Sequence, residues 1–273
     1  RAIGVPGTVA GMEHALRQWG SMDLPQVIQP AIELAEQGFI VSSTLARMLA
    51  IQHKQLGRWP ATRAIFFKDD KPLQAGELLI QKDLGKSLRL IASQGSHAFY
   101  QGAIADLIVA EMQKHGGLIS MQDMANYKAI ERAPVVGNYR GYQVVSMPPP
   151  SSGGIHLLQM LNILESFPLA EYGSSSAETI RLLAESAKLA YADRAEFLGD
   201  PDFVKIPQQG LISKDYAQQL AQSIKPERIR SSASIKHGNP QFHESDQTTH
   251  YSVIDGRGNM VGVTYTLNLN FGS

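Results

Sequence analysis

Apolar positions recur at helical spacing through most of the first 225 residues and then alternate strictly near the end, which predicts a helix-rich chain followed by a β-hairpin. Ala2 to Gly11 reads as an extended segment that breaks into a helix through Pro6-Gly7. Asp23 caps a helix that Pro25 enters early, with Val27, Ile28, Ala31, Ile32, Leu34 and Ala35 as its buried stripe and Gly38 at its end. Further helices are predicted over Ser43 to Leu56, near Asp83 to Ala92, and from Ala103 to Lys114 before Gly116-Gly117. Ser120 and Asp123 cap a short one reaching about Lys128. Arg63 to Lys68 is predicted as a short strand, and so is Tyr139 to Ser146, preceded by a turn at Gly137-Asn138.

Met147 to His156 reads MPPPSSGGIH. Three prolines set a stiff extended link, and the serines open a helix that runs through Leu158, Met160, Leu161, Ile163 and Leu164. The longest helix is predicted over Ala177 to Phe197. Ile180, Leu183, Ala187, Leu189, Ala190 and Tyr191 form its buried face, and Arg181, Glu185, Lys188, Asp193 and Arg194 lie outside. A last helix covers Lys214 to Ile224. Residues 231–247 are polar, dotted with Pro, Gly and Ser, and read as a flexible linker.

The hairpin follows. Tyr251, Val253 and Ile254 lead into Asp255-Gly256-Arg257-Gly258-Asn259, and Met260, Val261, Val263, Tyr265 and Leu267 lead out. If Ile254 faces Met260 and no bulge intervenes, Thr248 faces Thr266, with Cβ atoms about 4.5 to 5.5 Å apart. Asn268, two residues further along, projects from the same face as Thr266. His250 adjoins Thr248 but points to the opposite face of the strand, which favours a structural role.

Composition narrows the chemistry. Hydrophobic residues make up 43% of 273, ample for a substantial core. With 25 basic and 25 acidic residues the chain carries no net drive towards nucleic acid or an anionic membrane. It contains no Cys, so disulfides, thiolate metal sites and a Cys nucleophile are excluded. No apolar run approaches the length of a bilayer span, and no nucleophile-elbow Ser, P-loop or zinc-protease helix is present. His243-Glu244 lacks the second His of a metal motif, and neither a metal nor an organic cofactor is expected. Arg1 to Val5 is neither a signal peptide nor a start with an initiator Met, and Leu267 to Ser273 stops just after a strand. The chain therefore reads as an internal piece of a longer protein.

Gln247-Thr248-Thr249-His250-Tyr251-Ser252-Val253, followed by Thr264-Tyr265-Thr266-Leu267-Asn268, resembles the processing site of the γ-glutamyltranspeptidases, which are N-terminal-nucleophile hydrolases. The resemblance extends to Ala2–Gly11, to the PPPSSGGIH stretch, to Ala190-Tyr191-Ala192-Asp193-Arg194 and to Leu198–Phe203. It implies an α/β fold, an αββα N-terminal-nucleophile sandwich that is incomplete here, with a helix-rich large-subunit portion. Residues 1–247 would be the C-terminal portion of the large subunit and 248–273 the start of the small one, the two being parts of one precursor that form a heterodimer.

The resemblance further implies that the precursor cuts itself between Gln247 and Thr248, and that Thr248 then becomes the catalytic nucleophile. Thr266 matches the family Thr that hydrogen-bonds near the nucleophile, and Asn268 the Asn that contacts the bound glutamyl group. The implied substrate is glutathione or a related γ-glutamyl compound, with water, an amino acid or a dipeptide as acceptor. Ser151 and Ser152 do not match the family serine pair of the small subunit. The family arginine that grips the substrate carboxylate would precede Arg1, and the oxyanion donors would follow Ser273, so this stretch alone is expected to be inactive. Two other readings stay open: a relative that deacylates glutaryl-type β-lactams, and a non-catalytic homologue that only binds. Family habit implies a periplasmic or secreted protein.

Overall fold

The computed structural model describes residues 4–226, 228–238 and 249–265, and the chain divides after Ile130 into two compact units. Both are helix-rich, with small two-stranded antiparallel sheets. The first unit begins with α1 (Thr8–Trp19) and α2 (Leu24–Gln37). Asp23 caps α2 by accepting from the Gln26 amide, and the Gln26 side chain accepts from the Asp23 amide in return. Then come β1 (Phe39–Ile40), α3 (Ser43–Leu56) capped by Ser42, α4 (Pro60–Phe66), β2 (Phe67–Lys68), β3 (Lys71–Pro72) and β4 (Leu78–Leu79). The unit continues with α5 (Lys82–Gln94), α6 (His97–Tyr100), α7 (Ala103–His115), ended by left-handed Gly116, and α8 (Met121–Asn126).

α2 and α5 form the main helix pair of this unit. Gly85 lets α5 close onto the Glu36 side chain, and Arg89 donates two hydrogen bonds to the Glu36 carboxylate at 2.5 and 2.6 Å. A second cluster gathers Tyr100, Ala105, Val109, Ile119 and Met124. Within it the Tyr100 hydroxyl donates to the Pro6 carbonyl at 2.6 Å and accepts from the Ala10 amide, while its ring stacks on Tyr127. The Pro-Gly turn that opens α1 therefore has a packing role.

The predicted strand over Arg63 to Lys68 is a helix as far as Phe66, and only Phe67–Lys68 is extended. Pro60 at the helix start has a φ suited to the first turn, and the Arg63 guanidinium lies over the Phe67 ring.

The second unit opens with the hairpin β5 (Val135–Tyr139) and β6 (Tyr142–Ser146). Its turn is at Arg140-Gly141, both with positive φ, and not at the predicted Gly137-Asn138. Gly137 sits inside β5 because the Leu158 side chain occupies the space of a Cβ, at 2.5 Å. Next come α9 (Gly153–Leu164), α10 (Leu169–Tyr172), α11 (Ala177–Phe197), α12 (Gln208–Leu211) and α13 (Lys214–Gln222), then a 3-10 turn at Ser232–Ser234. The last elements are β7 (Thr249–Ile254) and β8 (Met260–Tyr265).

α9 is central to this unit, with the β5–β6 hairpin, α11 and α13 all packed on it. Ile155, Leu158 and Ile163 are fully buried, and Gly154 lies so close to the Met147 carbonyl that no side chain fits. Ile163, Leu182, Leu189, Ala217, Leu220 and Ile224 form the adjoining core of α9, α11 and α13.

The buried face of α11 differs from the expectation. Ile180, Leu183 and Tyr191 are exposed, and the stripe turned inward is Leu182, Glu185, Ser186, Leu189, Ala190 and Asp193. That spacing is a strict helical face with two carboxylates in it. Replacing Leu182 by Ala should cost about 2 to 5 kcal/mol in urea unfolding, whereas Ile180→Ala should stay within about 0.5 kcal/mol; equal losses would contradict this face assignment.

Candidate functional site

The hairpin β7–β8 carries the stretch in which the sequence places the chemistry. Its register pairs Ile254 with Met260, Val253 with Val261, and so on without a bulge to Thr249 with Tyr265, as the alternation predicts. The turn is organised by Asp255. Its carboxylate accepts from the Arg257 amide at 2.8 Å, the Asn259 amide at 3.0 Å and the Asn259 side chain at 2.9 Å. The Asn259 hydrogen bonds, side chain before backbone, and the Arg257 amide hold this carboxyl below the usual carboxylate range. Gly258 takes the positive φ that returns the chain to β8. Gln247, Thr248, Thr266 and Asn268 lie outside the described residues, and the structure neither brings them together nor separates them.

Upstream of the hairpin, a polar seam runs along α11. Asp193 is 1% exposed, and its Oδ2 accepts from the Tyr216 hydroxyl at 2.8 Å and from the Gln159 side chain. Its Oδ1 accepts from the Gly238 amide at 3.0 Å. Burial, followed by the Asp193 hydrogen bond and charge, pushes the Tyr216 hydroxyl pKa well up. Tyr216 is therefore a donor throughout the physiological range.

Two turns earlier, Glu185 is equally buried. It accepts from Lys188 Nζ at 2.8 Å, from Arg230 Nε at 2.6 Å and from the Arg230 amide at 3.0 Å. Burial is the largest single influence on this carboxyl and would raise its pKa. The hydrogen bonds from Lys188 and Arg230 together outweigh it, and the pKa falls to about 2. The sequence reading put both carboxylates on the outside. They are inside because residues 228–238 and α13 bring donors to them, and a buried charge without such donors would be prohibitive.

Residues 231–238, assigned from sequence to a linker, are therefore attached at specific points. Ile235 packs on the core of α9, α11 and α13, and His237 Nε2 stands 3.3 Å from Glu196 Oε2. The sequence signal for this seam was the recurrence of acidic residues at the helical period within an apolar stripe.

The MPPPSSGGIH stretch gives α9 its start. The Ser151 Oγ accepts from the Gly153 amide, and the Ser152 Oγ accepts from Arg194 Nε at 3.0 Å. Both serines are thus part of the strand-to-helix connection, in which the Pro149-Pro150 peptide is cis. His156 is buried and stacks on Tyr191 at 5.7 Å. Burial, then the Arg194 charge, lowers its pKa to about 4, against opposing backbone hydrogen bonds to Ser152 and Ala190. Its imidazole is neutral at physiological pH. Among the described residues no three of His, Asp and Glu converge to hold a metal ion, and no helix is long and apolar enough to cross a membrane.

Comparison with known proteins covers the whole chain. A sequence model of the Gamma-glutamyltranspeptidase family matches residues 1–273. The glutathione hydrolase proenzyme of Escherichia coli (strain K12) is 52% identical over 273 residues, all of this chain and 47% of that protein. The chain thus spans about half the length of the curated relatives it matches. The crystal structure of Helicobacter pylori gamma-glutamyltranspeptidase superposes with a TM-score of 0.84 at 44% identity, covering 90% of this chain and 71% of that one. Cephalosporin acylase from Bacillus halodurans superposes with a TM-score of 0.85 at 27% identity, covering 97% of this chain and 49% of that one. The chain shares the N-terminal-nucleophile hydrolase fold of these enzymes.

Two pH windows follow from the buried groups. The His156 pKa is depressed from 6.5 to about 4, so its contribution is complete above pH 6.5 and is lost as pH falls towards 4. The Glu185 pKa is depressed from 4.5 to about 2, so its contribution is complete above pH 4.5 and is lost as pH falls towards 2. Each is worth up to roughly 3 kcal/mol. Urea midpoints should therefore fall between pH 6.5 and 5 in the parent protein, above the Glu185 window, and stay level there in His156→Leu; an equal slope in both would refute the assignment.

Proposed function

Because the chain belongs to the γ-glutamyltranspeptidase family, we propose that it spans the subunit junction of a self-processing γ-glutamyl transferase and glutathione hydrolase. In this reading residues 1–247 belong to the large subunit, 248–273 begin the small one, and the bond between Gln247 and Thr248 is the processing site. The observation that carries it is the hairpin register. Its pairing runs unbroken to Thr249 with Tyr265, and one further step of the same ladder, beyond the described residues, would pair Thr248 with Thr266.

Within the precursor the Thr248 nitrogen is an amide and cannot accept a proton. The Thr248 Oγ adds to the Gln247 carbonyl carbon, the C–N bond breaks, and the released nitrogen takes the proton as an amine. Water then hydrolyses the resulting ester and frees the Gln247 carboxylate. The new α-amino group titrates near pH 7.7 to 8.0, which suits a general base near neutrality. Thr248 thereby supplies both nucleophile and base in the mature enzyme.

In the mature reaction the Thr248 Oγ attacks the γ-glutamyl amide carbonyl of glutathione, and the base proton passes to the departing amine. Water, or the amine of an amino acid or dipeptide, then adds to the ester carbonyl; the bond to Thr248 Oγ breaks, the γ-glutamyl group leaves on the acceptor, and the acceptor's proton restores the Thr248 hydroxyl. Thr266 hydrogen-bonds near the nucleophile and Asn268 contacts the glutamyl group. No cofactor enters this scheme. The two subunits remain together as a heterodimer, in the periplasm or outside the cell.

A second reading is favoured by the likeness to the cephalosporin acylase: the same self-cleavage followed by deacylation of a glutaryl-type β-lactam. The higher identities to a glutathione hydrolase proenzyme and a gamma-glutamyltranspeptidase support the first.

Intact mass of the complete gene product should show two polypeptides, the smaller starting at Thr248, and a single uncut chain for Thr248→Ala. A folded wild-type chain that stays whole would remove the amine base and with it this mechanism. Given cleavage, hydrolysis of a chromogenic γ-glutamyl anilide but not of a glutaryl β-lactam separates the two readings.

A further inference from the structure

The chain that follows α13 returns along α11 and is gripped there at two points. At the first, Arg230 is held through its amide, carbonyl and guanidinium. Its amide donates to Glu185 Oε1 at 3.0 Å and its Nε to Glu185 Oε2 at 2.6 Å, its Nη1 donates to the Ser223 Oγ at 3.3 Å, and its carbonyl accepts from Lys188 Nζ at 2.7 Å. At the second, the Gly238 amide donates to Asp193 Oδ1 at 3.0 Å, and Gly238 lies so close to the Tyr216 hydroxyl that a Cβ would overlap it. Between the two, Ile235 packs on the core of α9, α11 and α13, and His237 stands against Glu196. Glu185, Lys188, Asp193 and Glu196 lie on α11, Tyr216 lies on α13, and Ser223 caps α13. All of these partners precede the segment in the chain.

Glu185 and Asp193 are each 1% exposed, and carboxylates so buried require donors. Were the segment to leave, Glu185 would keep Lys188, and Asp193 would keep the Tyr216 hydroxyl and the Gln159 side chain, both neutral. A cut between Gln247 and Thr248 breaks none of the contacts at Arg230 or Gly238. We propose that residues 228–238 form a strap, fastened separately at Arg230 and Gly238, that stays docked on α11 and α13 after the chain is cut and so keeps the two buried carboxylates satisfied in the mature large subunit. The proposal rests on the reading of Gln247–Thr248 as the processing site. It makes the core of the second unit independent of an intact junction.

The test is residue-resolved hydrogen exchange on the full-length protein, comparing uncut Thr248→Ala with the converted parent. A hydrogen bond to a charged group is worth a factor of roughly ten to a hundred, so the Arg230 and Gly238 amides should exchange that much more slowly than free amides, and equally in both forms. Faster exchange at either amide in the converted enzyme would overturn the proposal, because the strap would then depend on the junction. Fast exchange in both forms would overturn it as well. Gly238→Ala should free the amide of residue 238 and leave that of Arg230 protected; loss at both together would refute separate fastening. The comparison of cut and uncut chains needs no change within the seam, so it decides the matter even if Gly238→Ala does not fold. A parent that never converts is a different result and removes the processing reading. A specific protease site inserted after Gly238 then supplies the cut, and the same two amides report whether the strap stays.

Discussion

Burying a carboxylate is among the costlier things a small core can do, and the second unit does it twice on one helix, at Glu185 and Asp193. Each is tolerable only when several donors converge on it. Those donors come from distant parts of the chain: Gln159 on α9, Tyr216 on α13, and Arg230 and Gly238 from the segment beyond α13. The requirement links three helices and a tail that apolar packing alone would leave free to slide. Replacing any one donor leaves a charge without its partner, so the seam selects a single arrangement where Leu and Ile contacts would accept several. The adjoining apolar core supplies the bulk of the burial, and the seam supplies its uniqueness.

The helices were largely legible because their ends are written locally. Asp23 with Gln26, Ser42, and Ser120 with Asp123 each satisfy amides of the first turn, and Gly38 and Gly116 end helices in conformations other residues avoid. The hairpin was legible for a similar reason, since alternation and an Asp-Gly-rich turn leave few registers. The turn of the β5–β6 hairpin was not. Gly137-Asn138 resembles a turn, yet Gly137 serves the close approach of Leu158, and the true turn places Arg140 at positive φ. Nothing in the local sequence distinguishes a glycine needed for a turn from one needed for a neighbour.

The buried carboxylates were illegible for a longer-range reason. A charged residue on an amphipathic helix is assigned outward unless its partners are known, and those of Asp193 lie 34, 23 and 45 residues away. The residues proposed to react stood at the other extreme. Thr248, Thr266 and Asn268 came from wording shared with a family and from the arithmetic of strand pairing, with no help from burial or charge. The candidate chemistry was thus read through resemblance, and the buried seam of α11 through the structure.

The ladder of β7 and β8 conserves a sum: the numbers of paired residues add to one constant from Ile254 and Met260 out to Thr249 and Tyr265. The constant is set at the turn, where Asp255 gathers Arg257 and Asn259. One residue added between them would raise the sum by one and invert the parity of every pair, exchanging the two faces of one strand relative to the other. The five-residue turn therefore works as a phase reference for the whole hairpin. Its side-chain hydrogen bonds guard a counting rule, and an error of one there would be felt undiminished at the opposite end of the strands.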